Sequence, residues 1–222
     1  MRFQDAARDG RAVVYAGIQA DPLVARAADM LASAGQAERI MARAVMNGAS
    51  TDPTTWMTMF PTLFGPASEG PGRARSEAVL AVALEVAERG EAVRSQFRGA
   101  IVEELTARLL ARRVGADAVR RERRILFDGV RSEIHPYDVT VERDGVPEAY
   151  DCKWGARGIG DDVLHQLDDA RGHADDEGTA LRAGLVVFDA ARSCEVRLSR
   201  SNAPTADTAI IALETLDTLA GA

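Results

Sequence analysis

The spacing of apolar residues changes once along this chain, and that change limits its folds more than any other feature. Up to Gly115 apolar side chains return every three or four positions; beyond it they alternate or bunch into short β-rich runs. Asp21-Pro22 supplies a cap and a first-turn Pro, after which Leu23, Ala27, Met30 and Leu31 mark one helical face as far as Gly35. Ala37, Ile40, Met41, Ala44 and Val45 continue that period to Gly48. Residues 49–73, rich in Thr, Pro and Gly but carrying Trp56, Met57, Phe60, Leu63 and Phe64, read as a loop that partly packs down. Helices are then predicted from about Ser76 to Gly90 and from about Ala92 to Gly115.

After Gly115 the segments 120–127, 134–141 and 148–154 read as strands, with Asp144-Gly145 as a hairpin turn between the last two. A helix is predicted from Asp161 to about Ala174, a buried strand from Ala183 to Phe188, and a further strand from Glu195 to Leu198. The order helix, three strands, helix, strand defines an α/β sandwich with a mixed sheet. The expected division is a helical extension and loop over residues 1–73 and an α/β domain over 74–222, together long enough to bury a substantial core.

The 222 residues carry a formal net charge of −7, which argues against indiscriminate binding of polyanions. The charge is divided. Between Arg108 and Arg131 eight Arg face Asp117, Glu122 and Asp128, while seven acids between Asp161 and Glu177 face Arg171 alone. An anionic partner is steered toward the Arg-rich stretch, although a solvated helix face and strand edge account for the same pattern. Two Cys, Cys152 and Cys194, are too few for a disulfide framework, and no zinc-ligand spacing occurs, so a reducing cytoplasmic setting is expected. The start of the chain does not resemble a signal peptide, and no apolar run approaches the roughly 18 residues of a membrane span.

One position is Lys. The other 26 basic residues are Arg, and the exception, Lys153, ends the tetrad Tyr150-Asp151-Cys152-Lys153. Arg is a planar fork that keeps its proton, whereas the Lys amine is compact and flexible, so a site needing a small cation beside a nucleophilic water accepts Lys and rejects Arg. Asp151 and Lys153, two apart on a strand, share a face while the Cys152 side chain points away. Asp138, across the turn at Asp144-Gly145, brings a second carboxylate to the same sheet edge. Two carboxylates with the carbonyl oxygen of Cys152 between them suit Mg²⁺, a hard cation that prefers oxygen ligands and keeps several waters. Such a metal lowers the pKa of its water and stabilises charge on a phosphate, with the neighbouring ammonium orienting or helping to deprotonate that water.

The strand-hairpin-strand with Asp138 and then Asp151-x-Lys153, preceded by a helix containing Gly99-x-x-x-Glu103, resembles the PD-(D/E)xK nuclease superfamily over residues 92–198. The resemblance implies a three-layer restriction-endonuclease-like core, α-β-β-β-α-β with a mixed sheet, behind an N-terminal all-helical extension. It implies that Asp138 and Asp151 are metal ligands and that Lys153 positions the water. It further implies that Glu103 is a helix-borne carboxylate that ligates or hydrogen-bonds near the metal, and that Gln166 is a polar group directed at the site. Two departures stand out: Pro136 is separated from Asp138 by Tyr137, and the position four after Gln166, often Tyr, is Ala170. Glu104 rivals Glu103, which is preferred because Gly99 lies one turn before it and Ile101, Val102 and Leu105 form its buried flank. His135 reads as a loop or strand-end residue rather than a proton shuttle, and Gly155, Gly158 and Gly160 as a flexible loop beside the site.

The expectation is a Mg²⁺-dependent endonuclease, with Mn²⁺ as a substitute, that cuts DNA in restriction, antiphage defence or recombination and repair. Arg residues around 112–131 would contact phosphates, and the enzyme would work as a homodimer or as a subunit docked through its N-terminal helices. The alternatives are a catalytically silent DNA-binding or assembly subunit, and the same site acting on RNA.

Overall fold

The computed structural model describes residues 1–6, 10–68, 70–131, 135–143, 145–204 and 208–221. They form two compact units: Gly10–Leu105, and Met1–Asp9 with Thr106–Ala222.

The first unit is helical. Its elements are α1 (Gly10–Gln19), α2 (Pro22–Ser33), α3 (Gln36–Asn47), α4 (Pro53–Met59), α5 (Pro61–Phe64), α6 (Pro71–Ala87) and the leading turns of α7 (Glu91–Val114). Asp21 caps α2 as its sequence predicts, its carboxylate accepting the Leu23 amide at 2.8 Å. Leu23, Val24, Ala27, Ala28, Leu31 and Ala32 are buried along one stripe of α2, and Val79, Leu80, Ala83 and Val86 of α6 pack against α2 and α3. This packing carries residues 74–105 into the helical unit, so the division falls inside α7 rather than at residue 73. The segment expected as a loop after Ala49 folds into α4 and α5, with Asp52 capping α4 through the Thr54 and Thr55 amides. Trp56 and Phe64 are buried there, and the Trp56 indole donates to the Ser50 carbonyl at 2.9 Å. Gly48 is required beside it, because a Cβ there would lie 2.5 Å from the Trp56 ring. Glu38 is buried but satisfied: it accepts from the Gly35 amide, the Ser76 hydroxyl and the Arg75 guanidinium. Burial alone would raise its pKa, yet these bonds, Arg75 first, hold it below the usual carboxylate value.

The second unit is a mixed α/β fold. Its strands are β1 (Arg2–Asp5), β2 (Val119–Phe127), β3 (Val130–Arg131), β4 (Tyr137–Val141), β5 (Glu148–Lys153), β6 (Arg182–Val187) and β7 (Ala209–Ile211). The sheet runs β1-β2-β4-β5-β6-β7, with β3 paired to β2. β5–β6 and β6–β7 are parallel and the other pairs antiparallel. Val163, Leu164, Leu167 and Ala170 of α8 (Asp161–Asp176) bury against Ile125, Ala149, Leu185 and Val187 of the sheet. Residues of α7 beyond Leu105 meet other sheet side chains. The Cys152 thiol donates to Thr106 Oγ1 at 3.5 Å, and Arg113 donates to Glu148, which also accepts the Tyr150 hydroxyl at 2.6 Å. Both Cys are buried free thiols. Residues 195–198, expected as a strand, are instead the end of α9 (Ala191–Leu198). Buried Cys194 and half-buried Leu198 lie four apart, the spacing of one helical face, and four alternating residues are too few to tell the two periods apart. Among the described residues, no helix is long and apolar enough to cross a membrane.

Candidate functional site

β4 and β5 pair as Val141↔Glu148, Thr140↔Ala149 and Val139↔Tyr150, and one step further the same register sets Asp138 opposite Asp151. Here the backbone ladder gives way to a side chain: the Cys152 amide, midway between Asp151 and Lys153, donates to Asp138 Oδ2 at 2.6 Å. Lys153 Nζ pairs with Asp151 Oδ1. Asp151 is nearly buried, at 7% exposure. Desolvation of the Lys153 ammonium pulls its pKa down, but the charges of Asp151 and then Asp138 outweigh this and raise it. The amine and the two carboxylates predicted from sequence are therefore brought together at one end of the central β4–β5 pair.

The strand on the far side of β4 is kinked at the same level. β2 pairs with β4 through Arg121↔Val139 and Arg123↔Tyr137, and Glu122 between them has φ of 52°, a left-handed conformation costly for a residue with a Cβ. The unchanged register on either side sets Glu122 opposite Asp138.

Gln166 is placed on α8, buried, with its amide clamped on the segment leading into β4. Its Oε1 accepts the His135 amide at 3.1 Å and its Nε2 donates to the His135 carbonyl at 3.0 Å. The Tyr137 hydroxyl adds a bond to the Gln166 carbonyl. Gln166 thus bonds the backbone three residues before Asp138, an arrangement that the polar-motif spacing did not reveal. His135 is exposed and serves here through its backbone.

Glu103 belongs to the helical unit, where its two oxygens accept from Tyr15 (2.5 Å) and Gln19 (2.7 Å). Gly99, one turn earlier, leaves room for the Tyr15 hydroxyl, which would stand 3.0 Å from a Cβ at that position. No group of three or more His, Cys, Asp or Glu side chains suited to a metal occurs among the described residues.

Two supports of Lys153 were not legible in the sequence. Gly158, in the 3-10 turn Ala156–Gly158, packs on the Lys153 stem so closely that a Cβ would lie 3.1–3.2 Å from three of its carbons. Asp189, just after β6, holds that turn by accepting the Ala156 amide at 3.0 Å, while the Phe188 amide donates to the Lys153 carbonyl. Trp154 stacks on Phe188, ring centroids 5.0 Å apart. The Gly155–Gly160 loop is accordingly a packed buttress.

The Arg-rich stretch is partly spent on internal pairs. Arg113 is bonded to buried Glu148, and Arg123 to Glu142 and Asp5. Of the turn expected at Asp144-Gly145, Asp144 lies outside the described residues and Gly145 has the positive φ of a tight turn. Comparisons with protein-family models, with curated proteins and with solved structures gave no match.

Proposed function

We propose that this protein is a Mg²⁺-dependent phosphodiesterase of the PD-(D/E)xK type that cuts DNA. The observation that carries the reading is the convergence of Asp138, Asp151 and Lys153 around the Cys152 amide. The element order α7, β2, β4, β5, α8, β6, with β5 and β6 parallel, is compatible with a restriction-endonuclease-like core and supports it.

Two carboxylates beside one ammonium fit a cation that keeps much of its water shell and takes one or two protein carboxylates plus substrate phosphate oxygens. Asp138 and Asp151 would hold the ion. When bound, it supplies charge stabilisation at the phosphate and a more acidic water. Lys153, a quarter exposed, offers its ammonium to the attacking water and to the phosphoryl oxygens, and its pairing with Asp151 fixes the direction of that offer. The Asp138–amide bond and the Gln166 clamp keep the first carboxylate from swinging away before substrate arrives. Water oxygen bonds to phosphorus as the bond to the leaving sugar oxygen breaks, leaving a phosphate monoester and an alcohol.

Purified protein with Mg²⁺ or Mn²⁺ is expected to nick or linearise plasmid DNA, while Lys153→Ala and Asp138→Asn, folded by circular dichroism, lose the activity by about 100-fold or more. Wild-type protein that leaves plasmid, linear and single-stranded DNA intact refutes the reading. A second reading, a catalytically silent DNA-binding subunit, is favoured by the pairing of Asp151 with Lys153 and by the lack of a three-ligand group among the described residues. Calorimetric Mg²⁺ titration separates the two, because a silent module has no reason to bind the ion through Asp138 and Asp151.

A further inference from the structure

Immediately beyond the Lys153 buttress lies an open groove of about 710 Å³, whose lining includes Ala156, Arg157, Asp189, Arg192, Arg197 and Arg200. Four guanidinium groups face one depression in a chain whose net charge is −7. Two elements supply them: Arg157 from the 3-10 turn after β5, and the other three from α9 and the residues following it.

Their partners differ from those in the Arg-rich β2 region. Arg197 Nε donates to the Ile159 carbonyl at 2.8 Å, which orients its guanidinium without neutralising it. Arg192 makes only an exposed pair with Glu195 in the next helical turn, a contact of little energetic weight. Arg157 and Arg200 are exposed and meet no carboxylate among the described residues. The one acid in the lining, Asp189, is nearly buried, and its oxygens accept the Ala156 and Ala190 amides. Four arginines against one nearly buried, hydrogen-bonded carboxylate give the groove lining a net positive charge, which attracts an anion.

Position selects the anion. Ala156 and Arg157 lie three and four residues after Lys153, and the turn they form is braced on the Lys153 stem through Gly158. A linear polyanion whose scissile phosphate lies at Lys153 continues into this groove within a few residues' reach. We propose that the groove between the Ala156–Gly158 turn and α9 is the track for the phosphodiester backbone of the DNA flanking the cut, with Arg157 and Arg200 as its phosphate contacts. This rests on the nuclease reading of the neighbouring site. It moves the backbone contacts from residues 112–131, where Arg113 and Arg123 are held in internal pairs, to the Ala156–Gly158 turn and the residues following α9.

The test is the salt dependence of DNA binding by fluorescence anisotropy, with and without Ca²⁺, for wild type, Arg157→Ala/Arg200→Ala and Arg2→Ala/Arg26→Ala. The last pair makes the same change in net charge at exposed residues elsewhere. Each lost phosphate contact makes the plot of log K against log salt shallower by about one, so the groove pair is expected to lower the slope by about two. Affinity near 0.1 M salt is expected to fall on the order of tens of fold, with the control pair near wild type. Equal slopes for the two double variants, no DNA binding by wild type, or tighter binding of a matched RNA overturn the proposal. Cleavage assays on the same proteins report separately on the Lys153 site. A wild type that binds with the groove-dependent slope but never cuts refutes the nuclease reading and leaves the groove standing; one that cuts with a groove-independent slope does the reverse.

Discussion

Replacing Gln166 with Leu would test whether the site is held from α8. The substitution keeps volume but removes both hydrogen bonds to the His135 backbone, at 3.1 and 3.0 Å. Net contributions of about 1 kcal/mol per bond give a loss of about 2 kcal/mol. That figure is an upper value, because His135 is exposed and water replaces part of what is lost. Gln166→Glu keeps an acceptor for the His135 amide but, when ionised, offers no donor to its carbonyl, so at neutral pH it should lose stability too. Urea unfolding is the assay, with midpoints compared at unchanged m. If the clamp positions Asp138, DNA cleavage by both variants should fall about tenfold or more under conditions where each is fully folded, with weaker Mg²⁺ binding. A Leu variant within about 0.5 kcal/mol of wild type, the range of an ordinary surface change, would refute the reasoning. So would full cleavage activity.

Gly158→Ala places a methyl 3.1–3.2 Å from the Lys153 stem; since that stem is flexible it should yield by a few tenths of an ångström, leaving stability within about 1 kcal/mol but cutting kcat about tenfold in plasmid nicking. Glu38→Gln should cost about 1–2 kcal/mol at pH 7, the weaker end for a pair whose Arg75 partner is more than half exposed. Because the folded-state pKa of Glu38 is depressed, its contribution is present above the unfolded value near 4.3 and disappears as pH falls through the folded value. Denaturation midpoints of wild type and variant should therefore converge on acidification below about pH 5.

Legibility of the fold followed the length of each pattern. The 24 residues of α7, the nine of β2 and the apolar run of β6 carry enough periods to be recognised. β1, four residues reading Arg-Phe-Gln-Asp with one half-buried side chain, and β7, three residues long, are defined by the strands they pair with and have no pattern of their own. At the site, Asp138, Asp151 and Lys153 were legible because strand alternation and a hairpin fix which groups converge. Gln166 on His135, Asp189 on Ala156 and Tyr15 on Glu103 join residues 31, 33 and 88 positions apart through side chains, and no local spacing encodes such pairs.

The first strand has a consequence for how the molecule is made. Arg2–Asp5 leaves the ribosome long before Arg123–Leu126, its ladder partners, and the entire helical unit emerges in the interval. Closing a flexible loop of that length would cost about 4 kcal/mol in chain entropy, so prior folding of the intervening helices shortens the tether and makes late edge pairing cheaper. A fragment begun at Thr106 would bare a flank of β2 along its arginines and lose the Asp5 carboxylate that meets Arg123. Domain-dissection experiments should therefore retain residues 1–9, by circular permutation or by a short graft, instead of truncating at the apparent boundary.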